Sequence, residues 1–137
     1  MNIAFFLLPK KEVVYLSPRS TMRQAMERME HHRYTAVPLV DEEGRYSGTI
    51  TEGDLLWKLK NIPGFCLKDA EKILLKDIPQ HVQNQCVSID THIEDLISLA
   101  VKQSFVPVVD DQGIFIGIVR RREIIEYCLR FFKSDNR

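Results

Sequence analysis

One pattern of residues occurs twice in this chain of 137 residues, about 70 positions apart. Val37-Pro38-Leu39-Val40-Asp41, then Gly44, Gly48 and Ile50, leads to an acid, Asp54, at the head of an apolar stretch. Val106-Pro107-Val108-Val109-Asp110, then Gly113, Gly117 and Val119, leads to Glu123 in the same place. From the proline onward the copies align without a gap at an offset of 69. Upstream, Ser17, Met22 and Ala25 pair with Ser88, Ile93 and Leu96 at an offset of 71. A unit repeated at this length is a supersecondary block that buries its apolar face on a neighbour. Each half, at fewer than 70 residues, would remove too little apolar surface from water to be stable alone. A fused pair with a common core is expected, and the cleft shared by the copies is the first place to look for function.

Composition narrows the classes further. Lysine plus arginine and aspartate plus glutamate each number 19, so no global field points to nucleic acid or an anionic membrane. Any preference for anions must be local. The three cysteines, Cys66, Cys86 and Cys128, are odd in number and widely spaced. That pattern matches neither the usual zinc motifs nor a disulfide framework. The six-residue apolar run from Ile3 has no basic residues before it and no small-residue cleavage site, so it is not read as a signal peptide. No apolar run approaches the roughly 18 residues a membrane span needs. A cytoplasmic protein is expected.

Local patterns place the elements. Val13 to Leu16 is a short β-favouring stretch. Ser20 or Thr21 caps a helix whose apolar positions Met22, Ala25, Met26 and Met29 recur at helical spacing, and which ends near His32. Thr35–Val40 and Tyr46–Ile50 are strands around an Asp41–Gly44 turn. Thr51-Glu52-Gly53-Asp54 has the form of a helix start, a hydroxyl followed three residues later by a carboxylate, and Leu55, Leu56 and Leu59 continue that helix. Asp69–Leu75 reads as a short connecting helix and Asp77–Gln85 as an extended linker. The second copy repeats the order: an extended Cys86–Ile89, a helix capped by Thr91, strands Phe105–Val109 and Ile114–Val119, and a final helix through Phe132. The polar tail Lys133–Arg137 is expected to fray. Each unit is β-α-β-β-α, so the fold class is α+β.

These residues resemble a tandem pair of CBS domains. The resemblance rests on the apolar-Pro-apolar strand, the Asp-x-x-Gly turn, and Gly48-Thr49-Ile50-Thr51-Glu52-Gly53-Asp54 leading into a helix. It spans roughly residues 10 to 132, divided as 10–62 for repeat one, 63–85 for the connection and 86–132 for repeat two. The second copy departs from it by ending Arg120-Arg121-Arg122-Glu123. The family implies two units related by a pseudo-twofold axis, a further homodimer, and clefts that bind adenosine-containing ligands: AMP, ADP, ATP, S-adenosylmethionine or cyclic di-AMP. It also implies a regulatory role exerted on a separate effector protein.

On that pairing, one cleft joins Val13, Val14 and Tyr15, with Tyr34, Thr35, Ala36, Val37 and Pro38, to Arg120, Arg121, Arg122 and Glu123. The other joins Gln85, Cys86 and Val87, with Ser104, Phe105, Val106 and Pro107, to the Thr51–Asp54 helix start. Small apolar side chains beside strand backbone suit a purine. A helix N-terminus offers free N–H groups and a favourable dipole for phosphate. Thr51 and Asp54 match the family's phosphate-contacting hydroxyl and ribose-binding acid, although Thr-x-x-Asp is equally a plain helix cap. The three arginines could grip phosphate in bidentate fashion, or pair with Glu123 and Glu126. Tyr34-Thr35-Ala36-Val37-Pro38 with Arg121 and Arg122 is similar to stand-alone CBS proteins of Gram-positive bacteria that bind cyclic di-AMP. Arg120 stands where that group carries threonine, which leaves the nucleotide open.

Tyr34 could stack on a base or simply pack, and Trp57 suits a packing or dimer contact. His31 and His32 end a helix, where imidazole complements the dipole; His81 and His92 are isolated. No metal-ligand spacing, Ser-His-Asp set or Walker-type loop occurs, so neither an enzyme nor a metal site is expected. A purely structural dimerisation module with degenerate clefts is the alternative. Nucleic-acid binding through the arginines is disfavoured by the zero net charge.

Overall fold

A computed structural model describes residues 1–135. Along the chain the elements run β1 (Leu8–Pro9), α1 (Met22–His32), β2 (Ala36–Val40), β3 (Tyr46–Thr51), α2 (Glu52–Lys60), β4 (Val87–Ser88), α3 (Ile97–Ala100), β5 (Phe105–Val109), β6 (Phe115–Arg120) and α4 (Arg121–Asp135). Short 3-10 turns fill several of the connections. Two compact units result: residues 14–83 form one, and residues 1–13 with 84–137 form the other.

The hairpins are near copies because the same local chemistry builds both. Asp41 Oδ1 accepts from the backbone N–H groups of Glu43 and Arg45, and Asp110 Oδ1 accepts from those of Gln112 and Ile114. An aspartate tying the amides two and four residues on makes the turn before Gly44 (φ 82°) and Gly113 (φ 81°), where only glycine is unstrained. Strand pairing then runs Ala36↔Thr51 to Val40↔Tyr46 in one unit and Phe105↔Arg120 to Val109↔Phe115 in the other. Each hairpin has one register shift, at Leu39/Val40 and Val108/Val109. The matching residues Leu39 and Val108 are buried in their cores.

The first helices of the two repeats differ, and their caps explain it. Thr21 accepts from the Gln24 amide while Gln24 accepts from the Thr21 amide, a reciprocal box that starts an eleven-residue helix. At the matching place in repeat two stands His92, which makes no side-chain cap, and Thr91 does not cap the helix as the sequence suggested. The chain enters through a 3-10 turn, Ile93–Leu96, and α3 is four residues long. The connecting helix expected over Asp69–Leu75 is likewise two 3-10 turns, Leu67–Glu71 and Leu75–Asp77. Helix α4 continues through Asp135, three residues into the expected frayed tail; residues 136–137 lie outside the described residues.

The repeat also extends further upstream than the sequence suggests. Ile93 N–H donates to Met1 O and Ile3 N–H to Thr91 O. In the other unit Met22 N–H donates to Ile73 O and Leu75 N–H to Ser20 O. Bridges Asn2↔His92 and Thr21↔Leu74 match in the same way. Ile3 and Leu75, each wholly buried, anchor these lead segments in their cores. A fully buried isoleucine or leucine stabilises by about 1.5–3 kcal/mol. The apolar run at Ile3 is therefore core, and it delivers β1 to the edge of β6 with the register Leu8↔Ile118 and Pro9↔Gly117.

Candidate functional site

Four groups of residues carry the chemistry singled out by the sequence: two helix starts and the two strand entries that precede them. Each strand entry is tied to its helix start by the same backbone bond, Glu52 N–H to Thr35 O and Arg121 N–H to Ser104 O, both 2.9 Å. Thr35 and Ser104 are exposed, Val37 and Val106 belong to the cores of their units, Pro38, Phe105 and Pro107 are buried, and Ala36 is half-buried. Tyr34 is exposed and stacks on His32, ring centroids 5.3 Å apart and 12° from parallel. Val13 is buried, Val14 half-buried and Cys86 exposed.

At the α2 start, Thr51 and Asp54 form a reciprocal box. Thr51 Oγ1 accepts from the Asp54 amide at 3.1 Å and Asp54 Oδ2 accepts from the Thr51 amide at 2.9 Å. Asp54 is only 1% exposed. Its other oxygen, Oδ1, accepts from the His81 backbone N–H at 2.9 Å and lies 2.7 Å from His81 Nδ1. Burial pushes this carboxyl upward, but the hydrogen bonds from the His81 ring and amide and from Thr51 outweigh it. Asp54 is held below the usual aspartate range. Its neighbour Gln80 lies across Gly48 and presents Oε1 to the Thr49 amide at 3.3 Å. Neither Gln80 nor His81 carries a signal in the sequence, because both act on residues some 27 to 31 positions away.

At the α4 start each arginine has a partner. Arg120 binds Glu123, with Nε 3.1 and 3.2 Å from its two oxygens. Arg122 lies 3.7 Å from Glu126 with its side chain 66% exposed. Arg121 turns its Nε to Ala100 O at 2.8 Å and Gln103 O at 3.1 Å. Three cations at a positive helix end should repel. Placing one on the carbonyl end of α3, and one against a carboxylate of the first turn, removes most of that cost. Arg120 and Glu123 also border a groove of about 460 Å³ whose other walls include Phe5, Leu8 and Arg130.

Gln103 was invisible in the sequence. It is buried, accepts from the Gln85 amide at 2.8 Å, and donates to the carbonyls of Gln85 and Phe105. It fixes the chain just before Cys86 against the entry of β5. Among the described residues no group of three His, Cys, Asp or Glu side chains could hold a metal ion, and no helix is long and apolar enough to cross a membrane. The cysteines are free thiols.

The sequence profile of the CBS domain matches residues 7–61 and 72–130. Among curated proteins, inosine-5'-monophosphate dehydrogenase of Methanocaldococcus jannaschii is 30% identical over 118 residues, which cover 85% of this chain but only 22% of the enzyme. The cyclic di-AMP receptor B of Bacillus subtilis is 23% identical over 145 residues, covering 99% of this chain and 92% of the receptor. Among solved structures, CbpB of Listeria monocytogenes in complex with c-di-AMP superposes with TM-score 0.81 at 20% identity, covering 96% of this chain and 98% of that one. CBSX2 in complex with AMP gives 0.74 at 22%, covering 95% and 97%.

Proposed function

The chain belongs to the CBS-domain family as a tandem pair, and on that premise we propose that it is a non-enzymatic regulatory sensor of an adenine nucleotide. Cyclic di-AMP, AMP, ADP and ATP are the ligands to consider. The observation that carries this reading is the α4 start, where Arg122 is exposed and only loosely held at 3.7 Å from Glu126. A guanidinium there can exchange an exposed ion pair, worth about 0–1 kcal/mol, for a charge-assisted pair with phosphate. Relatives named as a cyclic di-AMP receptor, and solved in complex with c-di-AMP or AMP, support the ligand class.

The same reading gives the purine the backbone at the strand entries, Tyr34–Pro38 and Ser104–Pro107. Val13, Val14 and Cys86 complete the purine surface in this reading, and the ribose goes to Asp54 or Glu123. Ligand binding shifts the protein toward the arrangement it favours, and a separate effector reads that change. The setting is the cytoplasm. A homodimer fits the apolar residues left exposed on α3, just after it and on α4, among them Ile97, Val101, Ile125 and Leu129. Light scattering on the purified chain is expected to return twice its 16.0 kDa mass; a monomer at all concentrations rejects the dimer.

Titration calorimetry with cyclic di-AMP, AMP and ATP tests the ligand. Arg122→Ala is expected to weaken binding about tenfold, equivalent to ~1.4 kcal/mol. Arg121→Ala is the wrong probe for phosphate alone, since it also uncaps α3 and should cost about 1–3 kcal/mol in stability by leaving two carbonyls short of a donor. Wild-type protein that binds none of the three at millimolar concentration rules the sensor out. The alternative, a structural dimerisation module with degenerate clefts, draws on the internal satisfaction of Asp54 and Arg121.

A further inference from the structure

Asp54 is the proposed acceptor of ribose at the α2 start, yet it is already in use. A vicinal diol donates two hydrogen bonds to the two oxygens of one carboxylate. Here Oδ2 takes the Thr51 amide, and Oδ1 takes both the amide and the ring of His81. The Asp54 side chain has no exposed surface, whereas that of His81 is 56% exposed. The acid is covered by a group that is itself largely open to solvent. Gln80 seats the same segment on the hairpin: a Cβ at Gly48 would lie 2.2 Å from Gln80 Oε1, so the absence of a side chain there makes the seat.

Repeat two lacks this arrangement. Its lead segment brings Pro9 to Gly117, and Pro9 has no N–H and no polar side chain to offer an acid. Glu123 is instead partnered by Arg120 of its own repeat. The two helix starts therefore differ in one respect that matters for a ligand: one acid is covered by residues of a separate segment, and the other is paired within its own helix start.

We propose that Gln80–His81 is an intramolecular lid that occupies Asp54 in place of a ligand's diol, so that the α2 start accepts a nucleotide only when His81 swings away. It rests on the nucleotide reading and adds regulation to it: the two repeats load unequally, with the α4 start filling first. The lid lies immediately before residues 83–84, where the chain leaves one compact unit for the other.

The test is titration calorimetry of the full chain with AMP, for the wild type, His81→Ala, and His81→Ala combined with Asp54→Asn. Thermal unfolding confirms that each variant is folded. The expected result is one AMP per wild-type chain and a second site in His81→Ala, or about a tenfold gain at a weak second site, which the added Asp54→Asn removes. Hydrogen exchange at residues 78–83 should stay unchanged when one AMP binds the wild type, because the lid remains closed over Asp54. A His81→Ala protein with the stoichiometry and affinity of the wild type overturns the lid and leaves the sensor standing. Binding by His81→Ala alone supports the lid and removes the α4 start as the AMP site. If none of the proteins binds AMP, both the lid and AMP as ligand are rejected.

Discussion

Gly117→Ala is expected to destabilise the unit built on repeat two by about 3 kcal/mol or more, the range for a substitution that breaks packed backbone. A Cβ at this position would lie 2.2 Å from Leu8 O and 2.9 Å from Leu7 Cδ1. The backbone at Gly117 also has φ 156°, which a side-chain-bearing residue rarely adopts. The first obstacle is main chain, so relief requires β1 to lift from β6, and the pairing of Leu8 with Ile118 is lost with it. Gly48→Ala supplies the control. The same Cβ would meet Gln80 Oε1 at 2.2 Å, but that is the far end of a flexible side chain which can rotate away. Its cost should be limited to backbone strain and the lost Gln80–Thr49 hydrogen bond, about 2 kcal/mol. Urea unfolding of both variants, with hydrogen exchange at Leu8 and Ile118, measures the difference. Equal costs at the two glycines would refute the anchoring of β1 on β6 through this close backbone approach.

The second large effect is at Asp54. Asp54→Asn puts an amide donor against N–H groups of Thr51 and His81 and removes the charge they stabilise, at an expected cost of about 2–3 kcal/mol near neutral pH. The pH dependence follows from the direction of the shift. Asp54 titrates below its ordinary value of 3.8 in the folded protein, so the unfolded chain binds the proton more readily. The stabilisation is complete above 3.8 and disappears as the pH falls through the lower folded value. The gap in melting temperature between wild type and Asp54→Asn should therefore be widest at neutral pH and close on acidification below 3.8. A gap that stays constant as the pH falls well below 3.8 would show that Asp54 is not stabilised as a carboxylate.

How far the sequence could be read depended on how far each rule reaches along the chain. The aspartate turns, the Thr21 and Thr51 caps and the apolar spacing of α1 act over two to four residues, and all appear where the sequence places them. The helix expected at Thr91 failed for a local reason as well: the position matching Thr21 is His92, which supplies no oxygen to the first turn. The lead segments leave no repeated motif in the sequence, because their likeness lies in backbone bridges and one buried aliphatic each. His81, Gln80 and Gln103 leave no local signature because each takes a distant partner, Asp54, Thr49 and Gln85 respectively, 18 to 31 residues away.

Amino-acid order alone determined that this protein is two copies of one β-α-β-β-α block with cations massed at one helix start, since those properties arise from neighbours within a turn or two. Only the tertiary structure decided which of the charged groups stay available. Chain folding brought His81 to Asp54 and the Ala100 carbonyl at the end of α3 to Arg121, and a buried or satisfied polar group gives up its partner only to something that binds it as well.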